Sequence, residues 1–173
     1  MSYWTFTDAF FEEGGPFKSP FQDGFGLIAT GSIPKAGYYA FKALSHLGDQ
    51  QLSLNNSSAL ATRNSVNNSV VAAVWNYVSQ EEAGSARAFQ IQLKGAPHTK
   101  YARVYVVDDD HGSPLKEWET MGSPDFPTAE QQAKLRRHAA ETFAAGVQVI
   151  EKDPTNFTLT LKPSALAVIE FCQ

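Results

Sequence analysis

The sequence predicts a mainly β protein, an antiparallel β-sandwich preceded by one βα unit. Three observations carry that expectation. After Gly48, short runs rich in Val, Ile, Tyr or Phe follow one another, separated by Asn, Ser, Gly or Asp, as serial antiparallel strands do. Within them Phe89, Ile91 and Leu93 alternate with Gln90, Gln92 and Lys94, and Phe157, Leu159 and Leu161 repeat the pattern before Pro163; such alternation buries one face of a strand. Before Gly48 the period differs: Tyr39, Ala43 and Leu47 fall four apart, with Ala40 and Leu44 filling the same face of a helix.

Taken in order, the first strand is expected at 2–7, where aromatic and small polar residues alternate. Asp8, Glu12 and Glu13 follow at once, set among Phe10, Phe11 and a Gly14-Gly15-Pro16 turn. A strand that runs out into aromatics and carboxylates is how a (β/α)-barrel builds its active-site face, so this unit looks like the last strand and helix of such a barrel. A long loop, 9–36, contains Gly24-Phe25-Gly26, read as a tight turn, and Gly26-Leu27-Ile28, read as a short extended piece. The helix enters after Pro34 and is stopped by Gly48. Strands are then expected at 51–54, 59–63, 70–78, 87–94 and 101–108, with three more between 147 and 172. The Asn/Ser-rich stretch 55–69 is the expected mobile loop. Thr128-Ala-Glu-Gln131 fits a capping box and opens a surface helix at about 128–142. Two domains result: a remnant βα unit at 1–48 and a β-sandwich at 49–173.

At 173 residues the chain is too short for a whole (β/α)8 barrel, which takes about 250. A formal charge of −4 without any Lys/Arg run argues against nucleic acid as a partner. No apolar run approaches the ~20 residues that span a bilayer, and the first residues do not read as a signal peptide. Cys172 is the single cysteine, which excludes an intrachain disulfide and a Cys-based metal site. Asp108-Asp109-Asp110-His111 offers clustered oxygens, but no calcium-loop spacing follows and a solvated turn closed by Gly112 is the expected reading. His46, His98, His111 and His138 lack zinc-type spacing. Neither metal nor cofactor is implied.

Two runs carry a family resemblance. The first is Tyr3-Trp-Thr-Phe-Thr-Asp-Ala-Phe-Phe-Glu-Glu13, continued by Gly24-Phe-Gly-Leu-Ile28 and Ile33-Pro-Lys-Ala-Gly-Tyr-Tyr-Ala-Phe-Lys-Ala-Leu44. It resembles the carboxy-terminal barrel segment of glycoside hydrolase family 39, which includes β-xylosidases and α-L-iduronidases. The second, Glu117-Trp-Glu-Thr-Met-Gly-Ser-Pro-Asp-Phe-Pro-Thr-Ala-Glu-Gln131, looks like the iduronidase branch. The resemblance implies retaining hydrolysis by two carboxylates about 5–5.5 Å apart. In the family both lie on earlier strands, the fourth and the seventh, so no residue of this chain inherits a catalytic role. Substrate contact is what carries over. Trp4 matches a tryptophan that looks onto the sugar, and Glu12 and Glu13 match an acidic pair that takes hydrogen bonds from sugar hydroxyls. This chain departs from the family by one extra residue between Asp8 and that pair.

The resemblance therefore implies a carboxy-terminal fragment of a glycosidase, inactive alone and bound to carbohydrate only within a complete enzyme. The sandwich would brace the barrel. A second reading is a stand-alone sandwich that binds carbohydrate or a protein partner through Trp75, Tyr77, Tyr101, Tyr105 or Trp118. Exposure separates the two, since a brace buries Trp75 and Trp118 while a binding module leaves one flat and open. A barrel strand without its barrel also leaves an unpaired edge, so a homodimer through 1–48 is expected.

Overall fold

The computed structural model describes residues 3, 5–8, 19–21, 24–79, 81–96 and 98–173. Among them, ten strands and three helices follow in the order β1 (Ile28–Ala29), β2 (Ile33–Pro34), α1 (Ala36–Leu44), β3 (Gln50–Leu52), β4 (Ala59–Arg63), β5 (Val70–Asn76), β6 (Arg87–Gln92), β7 (Tyr101–Val107), α2 (Leu115–Thr120), α3 (Ala129–Ala145), β8 (Val147–Ile150), β9 (Asn156–Leu161) and β10 (Ala165–Cys172). The fold is mainly β, with antiparallel sheets, as the sequence predicts. By contacts the chain divides into two units, residues 1–41 with 109–145 and residues 42–108 with 146–173. That division is not a single cut at 48: it falls inside α1, and it places α2 and α3 with the N-terminal segment.

The second unit is the sandwich. Its larger layer runs β3-β4-β5-β10-β7-β8, and its smaller layer is the pair β6-β9. β10 is central because its eight residues are apolar almost throughout, as a strand flanked on both sides and covered on its faces must be. Ile169 stands opposite Ala72 on β5 and Val104 on β7. The sequence alternation works as expected: Phe89, Ile91, Leu159 and Leu161 of the smaller layer turn inward onto Val74, Val104, Ala167 and Ile169. Each such large side chain contributes about 1.5–3 kcal/mol on burial.

The first unit contains the hairpin β1–β2, most of α1, and the helices α2 and α3. Ala29, Ile33, Trp118 and Leu135 form its core, with Phe21 and Met121 packed against them. The capping box is present as read: the Thr128 N–H donates to Gln131 Oε1 at 2.8 Å and the Gln131 N–H to Thr128 Oγ1 at 3.2 Å. The helix it opens is less superficial than its composition suggested. Leu135, Ala139 and Phe143 fall four apart and are buried, and Phe143 stacks on Tyr39 with ring centroids 4.8 Å apart. The three-residue turn of the hairpin is closed against the same helix: Arg136 donates to the Gly31 carbonyl at 2.5 Å.

Candidate functional site

The chemistry that the sequence points to lies at the N-terminal end of the first unit. Thr5 to Asp8 runs beside Leu27 and Ile28, with Thr7 and Ile28 bridged in parallel. The Leu27 N–H donates to the Thr5 carbonyl (3.3 Å), the Ile28 N–H to the Phe6 carbonyl (3.1 Å) and the Asp8 N–H to the Ile28 carbonyl (2.9 Å). The first extended segment thus ends with the Asp8 backbone fixed to the short extended piece anticipated at 26–28.

The Asp8 side chain closes the arrangement. It is 4% exposed, and a buried carboxylate must be paired to remain there. Its Oδ1 accepts the Gly26 N–H at 2.6 Å, and its Oδ2 pairs with Lys35 Nζ at 2.5 Å. The ammonium also donates to the Gly24 carbonyl at 2.9 Å. Asp8 precedes the long loop, Gly24 and Gly26 lie just before β1, and Lys35 leads into α1. One carboxylate and one ammonium therefore hold both ends of the loop and the helix entry together.

The two glycines are required by this approach rather than by a turn. A Cβ at Gly24 would lie 2.4 Å from the Asp8 carboxyl carbon, and one at Gly26 would lie 2.4 Å from the Asp8 backbone nitrogen. Both distances are shorter than any real Cβ contact. The tight-turn reading of Gly24-Phe25-Gly26 thus found the right residues and missed their reason.

Trp4, Glu12 and Glu13, which the resemblance gives as substrate contacts, lie outside the described residues. In sequence, Glu12 and Glu13 fall between the described residues Asp8 and Ser19. Beyond the loop, Phe21 packs edge-on against Trp118 at 5.3 Å.

Other candidates resolve into structural roles. Asp110 pairs with Lys116, and Gly112 adopts φ 76°, as the turn reading requires. Among the described residues no group of three or more His, Cys, Asp or Glu side chains is placed to hold a metal ion. His46 stacks on Tyr105 with centroids 4.5 Å apart, and His138 lies 3.8 Å from Glu117. Cys172 is half-buried beside Tyr101, and their hydrogen bond raises the tyrosine's pKa. Burial does the same for Tyr105. Of the five aromatics proposed for a binding module, Trp118 and Tyr105 are buried, Trp75 and Tyr101 are partly buried, and Tyr77 is 81% exposed. No described helix is long and apolar enough to cross a membrane.

Comparison with known proteins agrees with this geometry. The sequence model of the family described as glycosyl hydrolases family 39 matches residues 1–152. A β-xylosidase of Geobacillus stearothermophilus is 33% identical over 130 residues, which cover 75% of this chain and 25% of that protein. A β-xylosidase of Caldicellulosiruptor saccharolyticus is 27% identical across 97% of this chain and 35% of its own length. Among solved structures, a family 39 β-xylosidase from Caulobacter crescentus superimposes on all of this chain with a TM-score of 0.78 at 25% identity, over 35% of its own length. The chain spans about a quarter to a third of the length of the curated relatives it matches.

Proposed function

The chain belongs to glycosyl hydrolase family 39, and from that premise we propose that it is the carboxy-terminal part of a retaining, β-xylosidase-like glycosidase that cleaves O-glycosidic bonds. The observation that carries this reading is the coverage. The likeness to the Caulobacter enzyme runs over the whole of this chain yet takes up only 35% of that one.

In this reading the N-terminal segment supplies the last strand and helix of the barrel, and the second unit, 42–108 with 146–173, supplies the sandwich that braces it. The pair of catalytic carboxylates belongs to the part of the enzyme outside this chain. Trp4 offers an indole face to the apolar face of a pyranose. Glu12 and Glu13 accept hydrogen bonds from its hydroxyls. Exposure in the first unit supports the reading: Tyr3, Phe6 and Phe25 are 52%, 65% and 67% exposed, apolar surface of the kind a complete barrel would cover. In the isolated chain that surface drives association of two copies through residues 1–48.

The test uses the longer protein that carries this chain, with Glu12→Gln and Glu13→Gln introduced singly. Each change is expected to raise KM for an aryl β-xyloside about tenfold or more, as lost charge-assisted hydrogen bonds to a sugar do. Unchanged KM and kcat in both variants would remove the pair from the site.

A further inference from the structure

Where β5 ends and β10 begins, the larger sheet of the sandwich carries a hollow of about 420 Å³. Trp75 and Tyr77 line it, with Leu166 opposite Trp75 on β10 and Ser164 in the turn that leads into that strand. Between the two rings, Asn76 turns the other way, toward the smaller layer. Its amide donates to the carbonyls of Ser85, Leu161 and Lys162 at 2.9, 3.2 and 3.0 Å. The Ser164 N–H donates to the Asn76 carbonyl at 2.7 Å, with Ser164 at φ 57°. The walls of the hollow are thus tied together through one side chain, and little ordering is left for a ligand to impose.

Three polar groups at this hollow have no partner among the described residues: the Trp75 indole N–H, the Tyr77 hydroxyl and the Ser164 hydroxyl. The indole only donates, whereas each hydroxyl donates and accepts. Tyr77 is 81% exposed, and Trp75 and Leu166 are half-buried. No charged side chain lines the hollow among the described residues. A single exposed aromatic is ordinary; two rings sharing one hollow with three unpartnered polar groups narrow the choice of ligand. A purely apolar partner would strand those groups, and a charged one would find no counter-charge. What fits is a neutral ligand with an apolar face and a rim of hydroxyls. A pyranose has both.

We propose that this hollow is a carbohydrate-binding site carried by the second unit alone, which takes a short stretch of a neutral oligosaccharide. Trp75 and Tyr77 receive the C–H faces of its rings, and the indole N–H and the two hydroxyls bond to its hydroxyl rim. The volume lies near the low end for small-molecule sites, so binding is weak, with a Kd of about 1 mM. The inference goes beyond the glycosidase reading and does not rest on it, because none of these residues belongs to the substrate contacts given above. A site of this kind holds the chain on a polymer and takes no part in cleavage.

Titration of the chain, isotope-labelled at its tryptophan indoles, with xylohexaose tests this by nuclear magnetic resonance. Trp75→Phe identifies the Trp75 signal by its loss. In the parent chain that signal is expected to shift saturably, with a Kd of about 1 mM. The Trp118 signal should stay in place, since its N–H is given to the Pro124 carbonyl at 3.0 Å. Tyr77→Ala should raise the Kd about fivefold and leave Tm unchanged, because the ring is exposed. Tyr77→Phe should raise it only about twofold, since one hydroxyl is lost. A Trp75 signal that stays fixed at about ten times the expected Kd would overturn the proposal, as would a shift that Tyr77→Ala leaves unaltered. A signal that broadens with protein concentration and ignores the sugar would give this face to a second copy and overturn it equally. The Trp4 signal keeps the two readings apart. A shift at Trp4 alone supports the substrate contact and rejects the site at Trp75, and a shift at Trp75 alone upholds the site without that contact.

Discussion

Asp8 shows what a single residue can and cannot reveal. Its position, at the end of an extended segment and ahead of aromatics and carboxylates, resembles the active-site face of a barrel strand. The structure instead commits both of its oxygens, one to the Gly26 N–H and one to Lys35. Nothing in the local sequence announces a partner 27 residues away, which is why the ion pair was not legible. The two glycines were legible, but their cause was not, since close backbone approach and turn formation both select glycine. Their costs should therefore differ from those of turn glycines. Gly26→Ala is expected to cost about 2 kcal/mol, in the range of an overpacked core, because its Cβ meets the Asp8 and Thr7 backbone. Gly24→Ala should cost less, because the atoms it meets belong to the Asp8 side chain. Urea midpoints of the two variants check this, and equal midpoints would mean that the approach at Asp8 is looser than the structure shows.

At the scale of elements, the strands were read well because they satisfy the simplest rule. Phe89, Ile91, Leu159 and Leu161 all point inward as their alternation requires. α2 escaped because a six-residue helix with Trp118 as its only buried side chain shows no period at all. α3 was found by its capping box, yet its buried stripe of Leu135, Ala139 and Phe143 was hidden by the small alanine in the middle. The stretch 55–69, expected as the mobile loop around the strand anticipated at 59–63, holds that strand as β4 and carries a dense set of short-range bonds. The Asn64 side chain accepts the Val66 and Asn67 N–H groups, and Asp49 accepts the Ser65 N–H at 2.8 Å and its hydroxyl at 2.5 Å. The bond from the Ser65 hydroxyl is the main cause that holds the Asp49 carboxyl below its ordinary value of 3.8. A depressed carboxylate contributes stability that is present above its unfolded pKa and lost as pH falls through the folded one. The difference in urea midpoint between the parent chain and Ser65→Ala should thus be present at pH 7 and fade as pH falls below 3.8 through the lowered folded pKa. A difference that persists at low pH would mean that the ionised carboxylate is not what pins the loop.

For the whole molecule, the architecture and the family follow from the same few stretches of sequence, and the chain spans about a quarter to a third of the length of the curated relatives it matches. The exposed Tyr3, Phe6 and Phe25 present apolar surface in the first unit. In the proposed reading such a chain supplies support and substrate contacts to a reaction whose paired carboxylates come from elsewhere. The most direct measurement is hydrolysis of an aryl β-xyloside and an aryl α-L-iduronide by the purified chain, beside the same chain with Glu12→Gln and Glu13→Gln combined. Turnover at the level of the uncatalysed reaction from both proteins is the expected result. Turnover by the parent chain that the double change abolishes would contradict the account, since these residues would then have assembled a catalytic site of their own.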